Sequence, residues 1–240
     1  MQKKIALVTG GSRGIGAAIV TALARDNYKV IVHYNKSKNK AEALAKKVNG
    51  IAIKSDFSKD IEINALFKKI KKDFGKLDVL VNNAGIAELD SLDALSSKSF
   101  FKTMQVNTWA SLLCTQLGKK LMKKGNIVFI SSICAQNPTP DALAYAISKA
   151  GINSFASSIT KELAPEIRVN IIAPGATDTD IYKKNYSKKD KIWVIDTYPM
   201  ARPCEPIDIA EMVSFLISDK AKNITGQIFT VDGGFSVAKV

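Results

Sequence analysis

Short runs of consecutive apolar residues alternate along the chain with longer stretches in which apolar positions recur every three or four residues. Ile5–Val8, YKVIVHY at 28–34, Ile51–Ile53, LDVLV at 77–81, Ile127–Ile130, IRVNIIAPG at 167–175 and GQIFTVDGG at 226–234 read as strands. Between them the helical period predicts elements from about Ile15 to Arg25, over AEALAKKV (41–48), IEINALFKKIKKDF (61–74) and SFFKTMQVNTWASLLCTQLGKKLMKK (99–124). Two more cover ALAYAISKAGINSFASSITKEL (142–163), with Asp141 as its N-cap, and EPIDIAEMVSFLIS (205–218), with Pro206 near its first turn. Strict alternation of strand and helix predicts an α/β fold: one parallel, doubly wound sheet with right-handed crossovers. No repeat, low-complexity tract or linker divides residues 1–240, so a single domain is expected. Segment 178–203 is different: polar, lysine-rich, and sprinkled with Tyr182, Tyr186, Trp193, Tyr198 and Met200. It reads as a mobile lid over a site.

Composition narrows this little. An apolar content of 46% and a charged content of 24% are those of a soluble globular protein. No run of 18 apolar residues predicts a membrane span. MQKKIALVTG runs straight into a strand without a signal-peptide pattern. Cys114, Cys134 and Cys204 are odd in number and far apart, which predicts neither a disulfide framework nor a metal site; a reducing cytoplasm is expected. The net charge of +13 is mostly lysine. Such runs commonly form solvated faces, and they also attract anions: a phosphorylated cofactor, an acidic carrier protein, or nucleic acid. No nucleic-acid motif accompanies the charge, and no nucleic-acid partner is expected.

In a doubly wound sheet, ligands bind at the carboxyl ends of the strands, and chemistry-bearing residues gather at those ends here. After the first strand come Gly10, Gly14 and Gly16, spaced G-x-x-x-G-x-G and followed by a helix. Glycines there let the backbone approach a diphosphate at the positive helix end. The second strand ends His33-Tyr34-Asn35-Lys36-Ser37 with no acid to hold a ribose 2′-hydroxyl, and Arg13 sits in the glycine loop. Both features favour a 2′-phosphate, hence NADP. His33, the only histidine, reads as structural. Asp56 follows the third strand as a partner for an adenine amino group or as a helix cap. The fourth strand leads into Asn82-Asn83-Ala84-Gly85, a tight turn. Asn107 lies mid-helix, where its propensity is poor. The fifth strand delivers Ser131 and Ser132, and Tyr145 and Lys149, four apart, share one helix face. A tyrosine has a reference pKa of about 10. A neighbouring ammonium lowers it, and a serine hydroxyl can hold a substrate oxygen. Together these groups suit proton transfer coupled to hydride transfer at a C–O bond.

With these residues in view, the chain resembles the short-chain dehydrogenase/reductases over essentially its whole length. TGGSRGIG at 9–16 is similar to that family's T-G-x-x-x-G-x-G loop, NNAG at 82–85 to its stabilising motif, and PGATDT at 174–179 to its P-G-x-x-x-T segment. Asn107, Ser132, Tyr145 and Lys149 match its catalytic tetrad. The resemblance implies a Rossmann fold and an oxidoreductase using NADP. It implies a cofactor held by Gly10, Ser12, Arg13, Gly14, Ile15, Gly16, Asn35, Asp56, Asn83, Ala84, Gly85, Tyr145, Lys149, Pro174, Gly175, Thr177 and Thr179. It further implies that Tyr145 protonates the substrate oxygen, Ser132 orients it, Lys149 lowers the tyrosine pKa, and Asn107 anchors a water linking Lys149 to solvent. A homotetramer built through the long helices is implied as well.

Within the family, ITGQIFTVDGGF and APGATDTD resemble bacterial 3-oxoacyl-(acyl-carrier-protein) reductases most. The implied substrate is a ketone, foremost a 3-oxoacyl thioester on coenzyme A or acyl carrier protein, with Lys119, Lys120, Lys123 and Lys124 as a carrier-docking patch. The chain departs from that subgroup at ELAPEIRVN, which is one residue shorter and lacks its arginine, and at NPTPDALAY, where a glycine-rich loop is usual. A sugar, polyol or steroid-type alcohol dehydrogenase, or a non-enzymatic NADP sensor, are the alternative readings.

Overall fold

The computed structural model describes residues 3–88, 90–185 and 187–238; Tyr186, one of the lid aromatics, lies outside them. The strands are β1 (Ile5–Val8), β2 (Lys29–Tyr34), β3 (Ile51–Lys54), β4 (Val79–Asn82), β5 (Gly125–Ile130), β6 (Ile167–Pro174) and β7 (Ile228–Val231). Among the described residues they form one seven-stranded sheet, ordered β3-β2-β1-β4-β5-β6-β7 and parallel at every pairing. Successive residues point to opposite faces, and both faces are covered. Ile5, Leu7, Leu80, Ile127, Phe129, Val169 and Ile171 pack on one side. Ala6, Val8, Val81, Val128, Ile130 and Ile172 pack on the other. Burial on both sides is why the strands read as continuous apolar runs rather than as alternating ones.

The first side is covered by α3 (Asp60–Phe74), α5 (Ala110–Lys119) and α6 (Leu143–Leu163). The second is covered by α1 (Gly14–Arg25), α2 (Lys38–Lys47) and α9 (Pro206–Ile217). Pro206 opens α9, where its missing N–H costs nothing. No helix among the described residues is long and apolar enough to cross a membrane.

Three expectations are corrected. The predicted helix over 99–124 is α4 (Ser97–Thr103), a π-helical segment at Met104–Trp109, and α5, which stops at Lys119. The π segment widens the helix where Asn107 sits, a distortion that periodicity does not carry. Asp141 does not cap α6. Its carbonyl accepts the Asp90 N–H (2.8 Å), and Asp90 Oδ1 in turn accepts the Ala144 N–H (3.4 Å), so the helix is capped from a loop fifty residues earlier. Asp56 does not cap α3 either; Lys59 stands there, and Asp56 Oδ1 accepts from the Ser58 N–H and hydroxyl.

Segment 178–203 is not a bare loop. It contains α7 (Asp180–Asn185) and α8 (Lys188–Thr197). Its aromatics have a core of their own: Tyr182, Val194 and Tyr198 are buried together, with Ala176 and Phe235 packed against them. Tyr198 stacks on Phe235 at 4.8 Å and Trp193 meets the same ring edge-on at 5.5 Å.

Candidate active site

The carboxyl ends of the strands open into a single cleft with a cavity of about 900 Å³. On one side of it lies the glycine turn between β1 and α1. Gly10 (φ +62°) and Gly14 (φ +52°) take left-handed conformations that suit glycine. A Cβ on Gly16 would stand 2.2 Å from the Gly10 carbonyl oxygen, and one on Gly10 would stand 3.0 Å from Ala84 Cα. Side chains at these positions would collide with the turn itself and with Asn83 and Ala84, so the glycines let the turn fold tightly against the end of β4. No side chain caps the start of α1.

The turn is braced from both sides. Thr9 Oγ1 donates to the Val81 carbonyl (3.2 Å) and accepts the Asn83 and Ala84 N–H groups (2.9 Å each). Asn83 Nδ2 donates to the carbonyls of Thr9 (2.8 Å) and Gly10 (3.2 Å). His33 does more than the structural reading foresaw. The Gly10 N–H donates to its Nδ1 (2.9 Å), so the ring is neutral with its proton on Nε2, which donates to the Ser55 carbonyl (2.9 Å). The ring stacks on Phe57 at 4.0 Å. Burial pushes its pKa down to about 4. An unfolded histidine takes up its proton near 6.5. Stability is therefore full above that value and drains as pH falls towards about 4, by roughly 3 kcal/mol. Thermal unfolding followed from pH 7 to 4 should show this loss, and His33→Phe should lack it while weakening the glycine turn. An acid limb of unchanged size in the variant refutes the assignment.

Asn107 is fully buried, and its amide is used completely in bracing. Oδ1 accepts the Ile86 N–H (2.8 Å), and Nδ2 donates to the Ile86 carbonyl (2.9 Å) and to Ser148 Oγ (3.0 Å). Ser148 Oγ donates onward to the Tyr145 carbonyl (2.7 Å). Ser148 thus ties the π segment to the helix turn that carries Tyr145. Lys149 is 4% exposed, and its ammonium donates to the Ile130 carbonyl at the end of β5 (2.8 Å). The same Nζ lies 5.6 Å from the centre of the Tyr145 ring. A methyl on Gly85 would press on Asn107 Oδ1 (3.3 Å) and touch Lys149 Nζ (3.7 Å), so both side chains reach the same point of the turn. Burial pushes the Lys149 pKa down to about 8.

The serine pair divides its work. Ser131 Oγ donates to the Lys149 carbonyl (3.3 Å), joining strand to helix. Ser132, which also lines the cleft, accepts the Cys134 N–H (3.1 Å). Pro174, Gly175, Thr177 and Thr179 also line the cleft; Ala176 N–H donates to Tyr198 Oη (3.0 Å), and Thr179 abuts Gly14. Ser12, Arg13, Ile15, Asn35 and Asp56 line the end near β2, where Asn35 Nδ2 donates to Asp56 Oδ1 (3.2 Å). Of the residues expected to bind the cofactor or carry the chemistry, all but Gly16 and Asn107 thus border one cleft.

Comparison with known proteins shows the family of the chain. The family model described as Enoyl-(Acyl carrier protein) reductase matches residues 10–236. A 3-oxoacyl-(acyl-carrier-protein) reductase of Staphylococcus aureus is 38% identical over 96% of this chain and 97% of its own. The chain belongs to the short-chain dehydrogenase/reductase family. It is an oxidoreductase of that family. Two solved short-chain dehydrogenase/reductase structures resemble it closely. One is from Burkholderia cenocepacia, in complex with NADP (TM-score 0.92, 34% identity, 98% of each chain). The other is an angucycline C-6 ketoreductase with bound NADP (TM-score 0.90, 30% identity, 98% of this chain and 96% of that one).

The lysines expected to dock a carrier lie, as read from the sequence, at the end of the helix that carries Asn107. Lys119 is ion-paired with Glu162, and Lys120, Lys123 and Lys124 directly precede β5. They sit at the amino-terminal edge of the parallel sheet, while the cleft opens at the carboxyl edge, about 20 Å away at the rise of a six-residue strand.

Proposed function

We propose that this short-chain dehydrogenase/reductase reduces a ketone to a secondary alcohol with NADPH, and that a 3-oxoacyl thioester is its foremost substrate. The observation that carries the reading is the meeting of Tyr145, Lys149 and Ser132 beside the glycine cradle, at one edge of one sheet. The cavity of about 900 Å³ that runs from the glycine turn past the ends of the strands fits a dinucleotide. Gly10, Ser12, Gly14, Ile15 and Gly16 would hold its diphosphate, Arg13 a 2′-phosphate, and Asn35 and Asp56 the adenosine. Asn83, Ala84, Gly85, Pro174, Gly175, Thr177 and Thr179 would line the nicotinamide half. When bound, NADPH supplies the hydride. Tyr145 gives its phenolic proton to the carbonyl oxygen, and the Ser132 hydroxyl holds that oxygen in place. Lys149 stabilises the phenolate that remains. Asn107 holds Tyr145 in register through Ser148; a water relay from Lys149 would pass beside it. The α7–α8 segment closes over the substrate as a lid.

The names of the relatives support the acyl substrate, and the charge of +13 supports an anionic one. The overall charge favours acyl carrier protein, and the lysines after α5 are its proposed docking patch, at the edge of the sheet opposite this chain's own cleft. A cyclic ketone is the second reading. It is favoured by the aromatic wall of Tyr182, Trp193, Tyr198 and Phe235 beside the cleft, and by the ketoreductase neighbour. Exposed Phe101, Trp109 and Ile147 near the long helices support a homotetramer packed through them.

The test is NADPH oxidation with acetoacetyl-coenzyme A, the same acyl group on carrier protein, a cyclic ketone such as a decalone, and crotonyl-coenzyme A. Turnover of the first two above the cyclic ketone supports the acyl reading, and the reverse order supports the second. Turnover of crotonyl-coenzyme A alone would make the reaction a C=C reduction and overturn both. Arg13→Ala should weaken NADPH about tenfold and NADH little, measured by fluorescence titration.

A further inference from the structure

Three charged groups from three separate elements meet at the rim of the cleft. Arg13 stands in the glycine turn, Lys40 on α2, and Asp180 opens α7 at the start of the α7–α8 segment. Arg13 Nη1 is 3.3 Å and Lys40 Nζ is 3.8 Å from the same carboxylate oxygen, Asp180 Oδ2. Arg13 and Asp180 are about half exposed and Lys40 about two-thirds. The neighbouring acid, Asp178, has a different partner, Lys183, at 3.3 Å. No acid ends β2, and the cations within reach of a phosphate on the adenosine ribose are Arg13, Lys36 at the end of β2, and Lys40 at the rim. In this structure Arg13 and Lys40 are engaged by Asp180.

We propose that Asp180 is a cofactor-specificity residue: it competes with the 2′-phosphate of NADPH for Arg13 and Lys40, and so limits the affinity for NADPH without touching that for NADH. This rests on the NADPH reading above. A guanidinium binds a phosphate best with two parallel N–H donors. Asp180 holds Nη1, so a phosphate that takes the Nη1–Nη2 edge competes directly with the carboxylate, while the Nε–Nη2 edge stays open to it. The phosphate wins because it carries nearly two negative charges against one, but its affinity is reduced by the strength of the pairs it breaks. NADH has no 2′-phosphate and leaves those pairs intact. The displaced carboxylate belongs to the first turn of α7, so NADPH, unlike NADH, also releases the start of that segment from the glycine turn.

The experiment is a set of dissociation constants for NADPH and NADH, by fluorescence titration, in wild type, Asp180→Asn, Asp178→Asn, Arg13→Ala and the Arg13→Ala/Asp180→Asn pair. Asp180→Asn should bind NADPH about 2- to 10-fold more tightly, the scale set by two exposed ion pairs, with NADH unchanged. Asp178→Asn should leave the ratio of the two cofactors within about twofold of wild type, which separates competition for Arg13 from a general loss of negative charge. In the Arg13→Ala background most of the gain should vanish, since the two residues act through one contact. Amide exchange in residues 180–183 should rise with NADPH and not with NADH. The inference is overturned if Asp180→Asn shifts both cofactors alike, if Asp178→Asn matches it, or if the gain survives without Arg13. A wild type that binds NADH as tightly as NADPH overturns the NADPH reading itself, and this inference with it.

Discussion

Tyr145→Phe is expected to abolish nearly all turnover while the protein stays folded and binds NADPH as before. The substitution removes one oxygen and keeps the ring whose centre lies 5.6 Å from Lys149 Nζ, so packing on that helix face is conserved. What is lost is the proton donor, and positioned acid–base groups contribute about 10²–10⁴-fold. Steady-state kcat on the best substrate of the panel, with cofactor titration alongside, is the measurement. Retention of more than roughly a tenth of wild-type kcat would show that another group protonates the product.

Lys149→Met is expected to be the second large loss, with a signature in pH that Tyr145→Phe lacks. The wild-type ammonium is almost entirely enclosed, and burial brings its pKa down to about 8. Lys149 acts in its charged form. Reduction should therefore fall as pH rises through about 8, about two units earlier than for a solvated lysine. The methionine variant should be slower by about 10²-fold or more below pH 8 and should show no such limb. Its stability should move the other way. Between about 8 and 10.5 the unfolded chain holds a proton that the folded wild type has released, so wild-type stability climbs with pH across that window. At pH 7 the buried charge costs wild type roughly 3 kcal/mol. The variant escapes this but leaves the Ile130 carbonyl without its donor, at about 1 kcal/mol or more. A variant equal to or more stable than wild type at pH 7, yet nearly inactive, is the expected pairing. A high-pH limb that persists in the variant would assign the titration to another group.

Much of the site was open to reading because its spacing is local. Tyr145 and Lys149 are one helical turn apart, and Ser132 directly follows an apolar strand. The strand–glycine–helix order around Gly10–Gly16 is likewise contained in a dozen residues. The π segment around Asn107 was not legible, since its period differs from that of an α-helix over only six residues. The small core formed by Tyr182, Val194 and Tyr198 is not legible for a related reason: two of its supports, Ala176 and Phe235, lie outside segment 178–203.

What the sequence alone determined is whatever a periodicity or a short spacing can encode: the order of strands and helices, their burial on both faces, the family, and the edge of the sheet on which the chemistry sits. Only the tertiary structure decided which polar atoms meet. His33 reaches Gly10 across 23 residues, Asp90 reaches Ala144 across 54, and Asp180 reaches Arg13 across 167. The facing of Lys120, Lys123 and Lys124 away from the cleft was decided there too. The physical reason is common to all of these. Apolar burial is non-directional and leaves its imprint in composition and period, whereas a hydrogen bond or ion pair needs two atoms within about 3–4 Å, a placement fixed by how the elements pack and not by their distance along the chain.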